Sequence, residues 1–392
     1  MQKKKMVIHC ASGMENSGDE AILQVLLRRY TPDFEVTVIS LGSEKTLALH
    51  GAMGIRALGE RDAACRQAIS DCDVFILGGG GLLQDKTTIF NPSRWLAKLR
   101  LAQRMGKKTC LYANSVGELR FGINRRMVAR ALKKVHLITL RDALSAELLE
   151  QLGVAGAQVT ADPAFRLALP TPEEQAAAQS KYHLPAEYIC IAIRHWYDTN
   201  AVIPVKIATR LGLRSRKNAR QYERYTGVMA EITQRINREL GLPVVFLSMC
   251  RGRDARVARD ILEKLPENAG NIIIDDPAMT PQDALATTGG GCCQCKLLLG
   301  MRLHSLIYAA NLGIPMVPIV YQEKVQGLAQ MLGAPFVHVD TMDEKALWRL
   351  ILAALDGQNA QRASALCQQM REREQQNARL FAELMREGEQ GK

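Results

Sequence analysis

The sequence has no run of eighteen or more apolar residues, although hydrophobic residues make up 47% of its 392 positions. A helix that crosses a bilayer needs about 20 consecutive apolar residues, so a membrane span is not expected. The basic start, Met1–Lys5, leads into the short apolar stretch Met6–Ala11, which is too short for the core of a signal peptide. These absences predict a protein that stays in the cytoplasm.

Aromatic residues are few, at 5%, and the ten cysteines show no spacing typical of disulfides, which fits a reducing compartment. Without an aromatic-rich basic platform or a nucleic-acid motif, no nucleic-acid partner is expected. The segment Cys292-Cys293-Gln294-Cys295 places three thiols close together, but no second ligand pair follows at a spacing that would complete a zinc tetrahedron. We therefore predict no metal and no bound cofactor.

Acidic residues are outnumbered, with 40 against 51 basic ones, and the net charge is +11. Such a charge favours an anionic substrate or an anionic surface as partner. Part of the excess lies in one segment that has few apolar residues and contains Arg210, Arg214, Arg216, Lys217, Arg220 and Arg224. This segment is either a solvated loop or a contact to pyrophosphate or to anionic lipid headgroups.

Strand-like and helix-like segments alternate through both halves of the chain, a pattern typical of parallel sheets covered by helices on both faces. The length also exceeds what one compact core usually spans. We predict an α/β protein in which two Rossmann-like domains with parallel sheets face a cleft, and a C-terminal helix docks across both domains. The predicted parts are a first domain at 1–170, a linker at 171–187, a second domain at 188–361 and the helix at 362–392.

Two turns in the first half combine a strand end with glycines or polar side chains. The stretch Gly13–Glu20 lies between a strand and a helix, where Ser17 or Asp19 could cap the helix and the glycines allow a ligand to approach closely. The run Gly78–Gly81 follows the apolar strand Val74–Leu77 and precedes Gln84-Asp85. It is neither a phosphate-binding Walker loop nor a dinucleotide fingerprint, and four glycines forgo much backbone entropy. A requirement beyond the fold itself is therefore indicated.

Cationic side chains follow three other predicted strands, and one of them, Lys324, comes shortly after the strand Met316–Val320, where it is alternatively a solvated lysine. Arg141 ends the strand before a helix, and its alternative role is an ion pair with Asp142 or with a neighbouring helix. Arg302 and His304 lie between the buried strand Leu297–Leu299 and an apolar helix, at the edge where open α/β sheets bind ligands. Arg302 calls for a carboxylate or phosphate partner, either a ligand or an internal aspartate, and His304 is alternatively a core histidine.

Taken together, several motifs in order resemble the polysaccharide pyruvyltransferase family, and within it the bacterial enzymes that pyruvylate secondary cell-wall polysaccharide. The motifs are Asn16-Ser17-Gly18-Asp19-Glu20, Gly78–Gly81 with Leu82-Leu83-Gln84-Asp85, Arg141-Asp142, Thr160-Ala161-Asp162-Pro163-Ala164 and Met301-Arg302-Leu303-His304-Ser305. The resemblance spans about Met6 to Leu332. It departs at Asn114-Ser115-Val116-Gly117-Glu118, where we expect a turn after the strand Thr109–Ala113 and the family usually carries a Gly-x-Gly turn.

The resemblance implies a fold like the GT-B glycosyltransferases, phosphoenolpyruvate as donor and a pair of sugar hydroxyls as acceptor. Arg141, Arg302 and Lys324 would then bind the donor, and His304 would be the general acid and base. Asp19 would orient a base or hold acceptor hydroxyls. The residues expected at the acceptor are Asn16, Gly79, Gly80, Gln84 and Asp85.

Three other functions remain open at this point. One is a glycosyltransferase of the same architecture, in which Arg302 and Lys324 would hold the diphosphate of a nucleotide sugar. A second is a non-catalytic binding module with two Rossmann-like lobes, and a third is a flavin-linked reductase, although no flavin motif is visible. For the transferase, a glycan acceptor on a lipid pyrophosphate would place the protein at the inner face of the cell membrane, in peripheral contact with anionic lipid.

Overall fold

The computed structural model describes residues 3–86, 88–197, 215–289 and 294–387. The chain divides into two compact units. The first consists of Met1–Leu167 together with Gln369–Lys392, and the second of Ala168–Gln368. Within the described ranges, none of the helices combines the length and the apolar character that crossing a bilayer requires.

Strands and helices alternate along the first unit, as the sequence pattern predicts. The strands are β1 (Lys4–His9), β2 (Phe34–Ser40), β3 (Arg56–Gly59), β4 (Val74–Leu77), β5 (Gly80–Leu83), β6 (Lys108–Val116), β7 (Leu137–Leu140) and β8 (Gln158–Val159). The helices are α1 (Ser17–Tyr30), α2 (Ser43–His50), α3 (Ala64–Asp71), α4 (Asn91–Arg104), α5 (Gly122–Leu132) and α6 (Ala143–Gln151).

These strands form one parallel sheet in the order β3-β2-β1-β4-β6-β7-β8, with β5 paired to β6. The order reverses between β1 and β4, because β1 pairs with both β2 and β4. At such a switch point, the loops that follow the two strands diverge to opposite faces and leave a crevice. The loops concerned here are residues 10–16 and the glycines that follow Leu77.

The turn expected after Ala113 is absent, because β6 continues to Val116. The strand is irregular at this point: Ala113 has a φ of 45°, and its pairing with β7 shifts between Leu111 and Asn114. The shift turns the Asn114 side chain toward β4, where its amide donates to the carbonyl of Gly78. A polar side chain thus holds the glycine run from the strand next to it.

The second unit repeats the plan. Its strands are β9 (Glu187–Ala192), β10 (Val244–Leu247), β11 (Ile272–Ile274), β12 (Gln294–Gly300), β13 (Met316–Val320) and β14 (Val337–His338). Its helices are α7 (Pro172–Tyr182), α8 (Arg216–Arg235), α9 (Arg253–Leu262), α10 (Pro281–Thr288), α11 (Leu303–Leu312), α12 (Glu323–Met331) and α13 (Glu344–Leu355). The parallel strand order is β11-β10-β9-β12-β13-β14, so the switch point lies between β9 and β12.

The segment 171–187, interpreted above as a linker, contains helix α7. Thr171 and Glu174 form a capping box, in which each side chain satisfies a backbone N–H of the other residue, and proline occupies the first turn. The helix packs against α10 of the second unit. Pro172 therefore starts a helix, which the linker interpretation did not include.

A long helix, α14 (Gln358–Arg386), begins in the second unit and continues into the first, to which its residues from Gln369 onward belong. In the first unit it carries Glu374, which is fully buried and accepts two hydrogen bonds of 2.7 Å from the Arg29 guanidinium. Asn377 accepts a hydrogen bond of 2.7 Å from the Thr160 hydroxyl. The ring of Phe381 packs 4.8 Å from that of Tyr30.

Candidate active site

The first of the predicted site loops is shaped by a buried acid that the sequence analysis did not single out. Glu20 accepts a hydrogen bond of 2.7 Å from the backbone N–H of Gly13 and lies 2.9 Å from Nε2 of the buried His50. Gly13 has a φ of 78°, and a Cβ there would come within 2.2 Å of the carbonyl oxygen of Gly42. Only glycine fits this position, so the loop after β1 has a fixed path to α1.

Asn16 and Asp19 stand at the end of that path. The cap of α1 is Asn16, and not Ser17 or Asp19 as predicted: its side chain accepts from the N–H of Gly18 at 3.3 Å, and its amide donates to Asp19 at 2.6 Å. Both side chains remain partly exposed. Capping therefore accounts for one side of Asn16, while Asp19 is an oriented carboxylate at the carboxyl edge of the sheet.

The glycine run has a different requirement at each position. A Cβ at Gly79 would lie 2.9 Å from Ile22 of α1, so close packing requires this glycine. Gly80 has a φ of 112°, and a Cβ there would lie 3.3 Å from Oδ1 of Asp19. A Cβ at Gly81 would meet only Arg141 Nη2, at 4.0 Å. Gly81 therefore leaves open space between the strand and a guanidinium.

Arg141 lies at this same edge, and its partner differs from the one considered above. Its Nη1 donates to Asp162 at 2.5 Å, and both side chains are buried. Asp142 caps α6 instead, accepting from the N–H of Ser145 at 2.8 Å. The first unit thus brings together Asn16, Asp19, Gly80 and Arg141 of the predicted site.

Gln84 and Asp85 are used differently. The buried Asp85 carboxylate accepts hydrogen bonds from the N–H groups of Arg120 and Phe121, at 2.7 and 3.1 Å, and from the Asn124 amide at 2.9 Å. The Gln84 side chain accepts from the N–H of Lys86 at 2.8 Å. These contacts favour a structural role for Asp85, which ties the loop after β5 to the loop before α5.

In the second unit, Arg302 is paired with an internal aspartate, which the sequence analysis left open beside a ligand. Its Nε donates to Asp254 Oδ2 at 2.9 Å and its Nη2 donates to Oδ1 of the same carboxylate. Burial acts to lower the pKa of the Arg302 guanidinium, but the charge of Asp254 outweighs burial, and the pKa lies above its ordinary value. Arg302 is therefore held as a fixed cation.

The turn before this arginine is also fixed by packing. A Cβ at Gly300 would lie 2.6 Å from Leu306 and 3.0 Å from the hydroxyl of Ser305. That hydroxyl donates to the carbonyl of Arg302 at 2.7 Å. His304 occupies the first turn of α11, where it is half-buried. Its position at the amino end of a helix and beside Arg302 agrees with the placement predicted from the sequence.

A second cation at this edge, Arg194, was missed by the sequence analysis. It follows β9, the strand on the other side of the switch point from β12. Its Nη1 donates to the Tyr321 hydroxyl at 2.6 Å, and its guanidinium stacks 4.4 Å above the same ring. Trp196 packs edge-on against that ring at 4.9 Å. The available signal was an arginine directly after a predicted buried strand, the same signal that identified Arg302.

Tyr321, which follows β13, reports on the charge of this edge. Burial acts to raise the pKa of its phenol. The charges of Arg194, Lys324 and Arg302 outweigh burial, so the pKa lies below its ordinary value. Two of the predicted donor-binding residues, Arg302 and Lys324, are thus in one neighbourhood with Arg194. We call Arg194, Arg302, Lys324 and Tyr321 the cation cluster.

Two further histidines lie at or near strand ends. His9 ends β1, is fully buried and contacts Glu60 at 3.1 Å; burial lowers the pKa of its ring, against the opposing effect of Glu60. His195 follows Arg194 and is buried against the ring of Tyr222 at 5.8 Å. Of these histidines, only His304 lies partly exposed in the first turn of a helix.

Several earlier predictions fall partly outside the described residues. Arg210 and Arg214 lie there, as do Cys292 and Cys293, whereas Cys295 is buried in β12. Arg216, Lys217 and Arg220 are exposed on the first turns of α8. Arg224 donates to the carbonyl of Asp340 at 2.6 Å, so it is committed to the fold.

Comparison with known sequences decides the family. Residues 16–323 match the family model of the polysaccharide pyruvyl transferases, a range that contains every predicted site residue except Lys324. The chain belongs to the polysaccharide pyruvyl transferase family. A relative is the amylovoran biosynthesis protein AmsJ of Erwinia amylovora, 24% identical over 318 residues, which represent 78% of this chain and 68% of AmsJ. The family expected from the motifs is confirmed, and the protein is an enzyme of polysaccharide biosynthesis.

Solved structures confirm the fold class. Anabaena HepE in complex with UDP is similar with a TM-score of 0.60 and 11% identity, over 97% of this chain and all of HepE. A glycosyltransferase from Rickettsia africae gives a TM-score of 0.62 at 10% identity, over 98% of this chain and 99% of that one. UDP-GlcNAc 2-epimerase from Methanocaldococcus jannaschii gives 0.59 at 11% identity, over 95% and 100%. The pyruvyl transferase has a GT-B-like fold.

Proposed function

We propose that this enzyme transfers pyruvate from phosphoenolpyruvate onto a sugar of a cell-wall or exopolysaccharide precursor, forming a ketal and releasing phosphate. The observation that carries the proposal is the cation cluster beside His304. Phosphoenolpyruvate bears a phosphate and a carboxylate, so a donor site needs several fixed cations, and arginine suits both groups because its guanidinium binds them in a bidentate manner. In this proposal the predicted donor residues Arg302 and Lys324 act together with Arg194 of the same unit, whereas Arg141, also predicted for the donor, lies in the first unit and remains a prediction from the sequence.

The reaction needs a group that gives and takes protons. A proton delivered to the methylene carbon of the donor makes the adjacent carbon electrophilic, and one sugar hydroxyl then attacks it. Phosphate leaves, and a second hydroxyl of the same sugar attacks to close the ketal, each hydroxyl losing one proton. We assign the proton transfers to His304, because imidazole exchanges protons near neutral pH.

Acceptor hydroxyls are assigned to the first unit. Asp19 is an oriented, partly exposed carboxylate, with Asn16 hydrogen-bonded to it and the glycines at 79 and 80 close by. A carboxylate can hold two vicinal hydroxyls or orient the group that deprotonates them. Gln84 lies near this edge, while the three hydrogen bonds to the Asp85 carboxylate limit its availability.

The acceptor is proposed to be linked to a lipid pyrophosphate and to be met at the inner face of the cell membrane by a cytoplasmic protein. Bacterial glycans are commonly built on such carriers, and the relative AmsJ is named an amylovoran biosynthesis protein. The net charge of +11 supports peripheral contact with anionic lipid. Arg216, Lys217 and Arg220 are exposed, but they form only one of the exposed basic surfaces, and the vesicle experiments described below test which surface makes this contact.

Ligand-dependent thermal stability and phosphate release test the proposal. Phosphoenolpyruvate should raise the melting temperature, since a ligand that binds only the folded state stabilises it. Inorganic phosphate should appear only when a glycan fraction is added as well, and mass spectrometry should detect a pyruvyl ketal on that glycan. Stabilisation by UDP-sugars with no response to phosphoenolpyruvate would favour a glycosyltransferase and overturn the proposal.

A further inference from the structure

Large apolar side chains are exposed at two neighbouring loops of the first unit. Phe90 is 73% exposed, Ile123 69%, Phe121 44% and Ile89 37%. The other large apolar side chains found exposed in the described residues, such as Leu47, Leu169 and Leu352, come from separate helices and loops. We call Ile89, Phe90, Phe121 and Ile123 the apolar patch.

Hydrogen bonds hold the two loops of the patch side by side. Asp85 lies just after β5, in the loop that carries Ile89 and Phe90. Its carboxylate accepts hydrogen bonds from the N–H of Phe121 at 3.1 Å and from the Asn124 amide at 2.9 Å. The same Asn124 amide donates to the carbonyl of Ile89 at 2.9 Å. Helices α4 and α5, which follow the two loops, also pack against each other. The apolar side chains therefore stand on one rigid base.

The two helices that follow the patch, α4 and α5, lack the stabilisation that a side-chain cap would give. Phe90 and Phe121 occupy the N-cap positions of α4 and α5, and neither helix has a side-chain cap. Serine, threonine, aspartate and asparagine are strongly preferred there because their side chains satisfy the free N–H groups of the first turn. At 73% and 44% exposed, neither Phe90 nor Phe121 is buried in exchange for the missing cap. Their presence points to a contact made outside the chain.

Charge around the patch identifies the chemistry of that contact. Lys86, Arg120, Arg125 and Arg126 are exposed on the same two loops and the first turn of α5. The exposed acid among them is Glu118, which pairs with Arg120 at 3.2 Å. Apolar side chains surrounded by arginine and lysine match an anionic bilayer, in which rings and aliphatic chains enter the acyl boundary while cations meet phosphate groups.

We infer that the apolar patch and its basic rim dock the enzyme on the surface of an anionic lipid bilayer. The inference rests on the proposed lipid-linked acceptor, and it names the surface that meets the membrane. The patch stands at the carboxyl edge of the first sheet, the edge that also carries Asp19, Gly80 and Arg141. Docking there would bring the acceptor residues close to the membrane surface, where the sugar of a lipid-linked acceptor is attached to its carrier.

Vesicle co-sedimentation without donor or acceptor tests the inference separately from the chemistry. The wild-type protein should bind vesicles that contain phosphatidylglycerol and bind pure phosphatidylcholine much less. Phe90→Ser with Phe121→Ser should weaken partitioning by about tenfold or more, because two rings no longer enter the lipid. Arg125→Gln with Arg126→Gln should weaken it by a smaller factor and flatten its dependence on salt.

Matched variants keep the result decisive. Leu352→Ser removes an exposed apolar side chain of the second unit, and Arg216→Gln with Lys217→Gln and Arg220→Gln removes the other basic surface; both should bind vesicles like the wild type. Phe90→Trp should be quenched by brominated lipids beyond the quenching of the native tryptophans, which reports insertion even if a serine variant folds poorly. Wild-type binding by a well-folded Phe90/Phe121 serine variant would overturn the inference, as would loss of binding only in the α8 variant.

Activity measurements separate this inference from the proposed function. The serine variant should turn over a short water-soluble glycan normally and lose turnover on lipid-linked acceptor in vesicles. Equal loss on both acceptors would place the patch in the active site and reject membrane docking. An enzyme that ignores phosphoenolpyruvate yet binds vesicles through the patch would refute the proposed donor alone.

Discussion

In the first unit, glycines, one oriented carboxylate and one arginine line the carboxyl edge of the sheet. In the second unit, the same edge carries three cations, a tyrosine and a half-buried histidine. The two sheets nevertheless share one strand order on either side of the reversal. The difference teaches that topology selects where loops meet, while the residues directly after each strand decide which ligand can be met there. The proposed division of labour, acceptor at the first edge and donor at the second, can be tested from either side.

The largest effect is expected at the second edge. His304→Ala should lower turnover by about a hundredfold or more while the KM for phosphoenolpyruvate changes little, because a proton-transfer group acts mainly in the transition state. Steady-state kinetics on purified protein measure this. His338→Ala, an exposed histidine of the same unit, is the matched control. Near-normal turnover would show that another group moves the proton, and His195 would be the next candidate.

A smaller effect should follow from removing single cations of the same edge. Arg194→Ala and Lys324→Ala should each raise the KM for phosphoenolpyruvate by about tenfold or more, since a hydrogen bond to a charged group contributes about 1.5–3 kcal/mol. The exposed Arg256 and Lys345 provide control alanine variants in the same unit. Arg194→Lys separates charge from stacking, because lysine keeps the first and loses the second. An unchanged KM in both variants would remove the cluster from the donor site.

Replacing Asp19, at the carboxyl edge of the first sheet, should have a smaller effect, and it should change the KM for the acceptor and not that for the donor. Asp19→Asn should raise the KM for the glycan by roughly fivefold to tenfold, as expected when a charged hydrogen bond becomes a neutral one, and leave the KM for the donor unchanged. Asn can still accept the hydrogen bond from Asn16, so the loop should keep its shape. Asp33→Asn on the exposed surface of the same unit serves as control. A defect confined to the donor would contradict the assignment of acceptor to the first unit.

The smallest effect concerns pH. The pKa of Tyr321 lies below its ordinary value of about 10, so over the interval between the two the unfolded chain binds more protons than the folded one. The free energy of unfolding should therefore rise with pH in the wild type relative to Tyr321→Phe. This advantage is complete above the ordinary pKa and is lost as the pH falls through the lowered one. Urea unfolding at pH 7.0 and about pH 9.5 measures the difference.

Tyr197→Phe gives the opposite sign for comparison. Burial, followed by the hydrogen bond to Asp340, raises the pKa of the Tyr197 phenol, so its contribution is present below the ordinary pKa and diminishes at higher pH. Absorbance at 295 nm should show one phenol that ionises early in the wild type and is missing in Tyr321→Phe. If both variants shifted stability alike with pH, the cations would not act on Tyr321 as described.

Local signals were enough to predict the alternation of strands and helices and the placement of Arg302 and His304, because strand ends and helix starts are encoded within a few residues. The partners of the arginines were not predictable in the same way. Arg302 pairs with Asp254, 48 residues away, and Arg141 with Asp162, 21 residues away. The partner of each arginine depends on which strands become neighbours in the sheet. Asp142, which is adjacent to Arg141 in the sequence, was considered as its partner and is not.

The cation cluster also shows that the sequence does not reveal which strands become neighbours. Lys324 and Arg302 were predicted because each follows a clear apolar strand. Arg194 follows one too, but no motif surrounds it, and its importance appears only when β9 is seen next to β12 at the switch point. Asp85 shows the reverse error, since a motif residue that looked available is committed to hydrogen bonds with three backbone or side-chain donors.

The long helix α14 makes the first unit discontinuous in sequence. Glu374, 345 residues from Arg29, is fully buried and pairs with the partly buried Arg29 guanidinium, and a buried ion pair that loses one member costs about 3–5 kcal/mol. A ribosome therefore finishes every strand of the second unit before it delivers the residue that completes the first. Domains usually fold in the order of their synthesis, but here Tyr30 of α1 lacks its contact with Phe381 until α14 has been made. The position of Glu374 in the sequence therefore determines when the first unit can be completed.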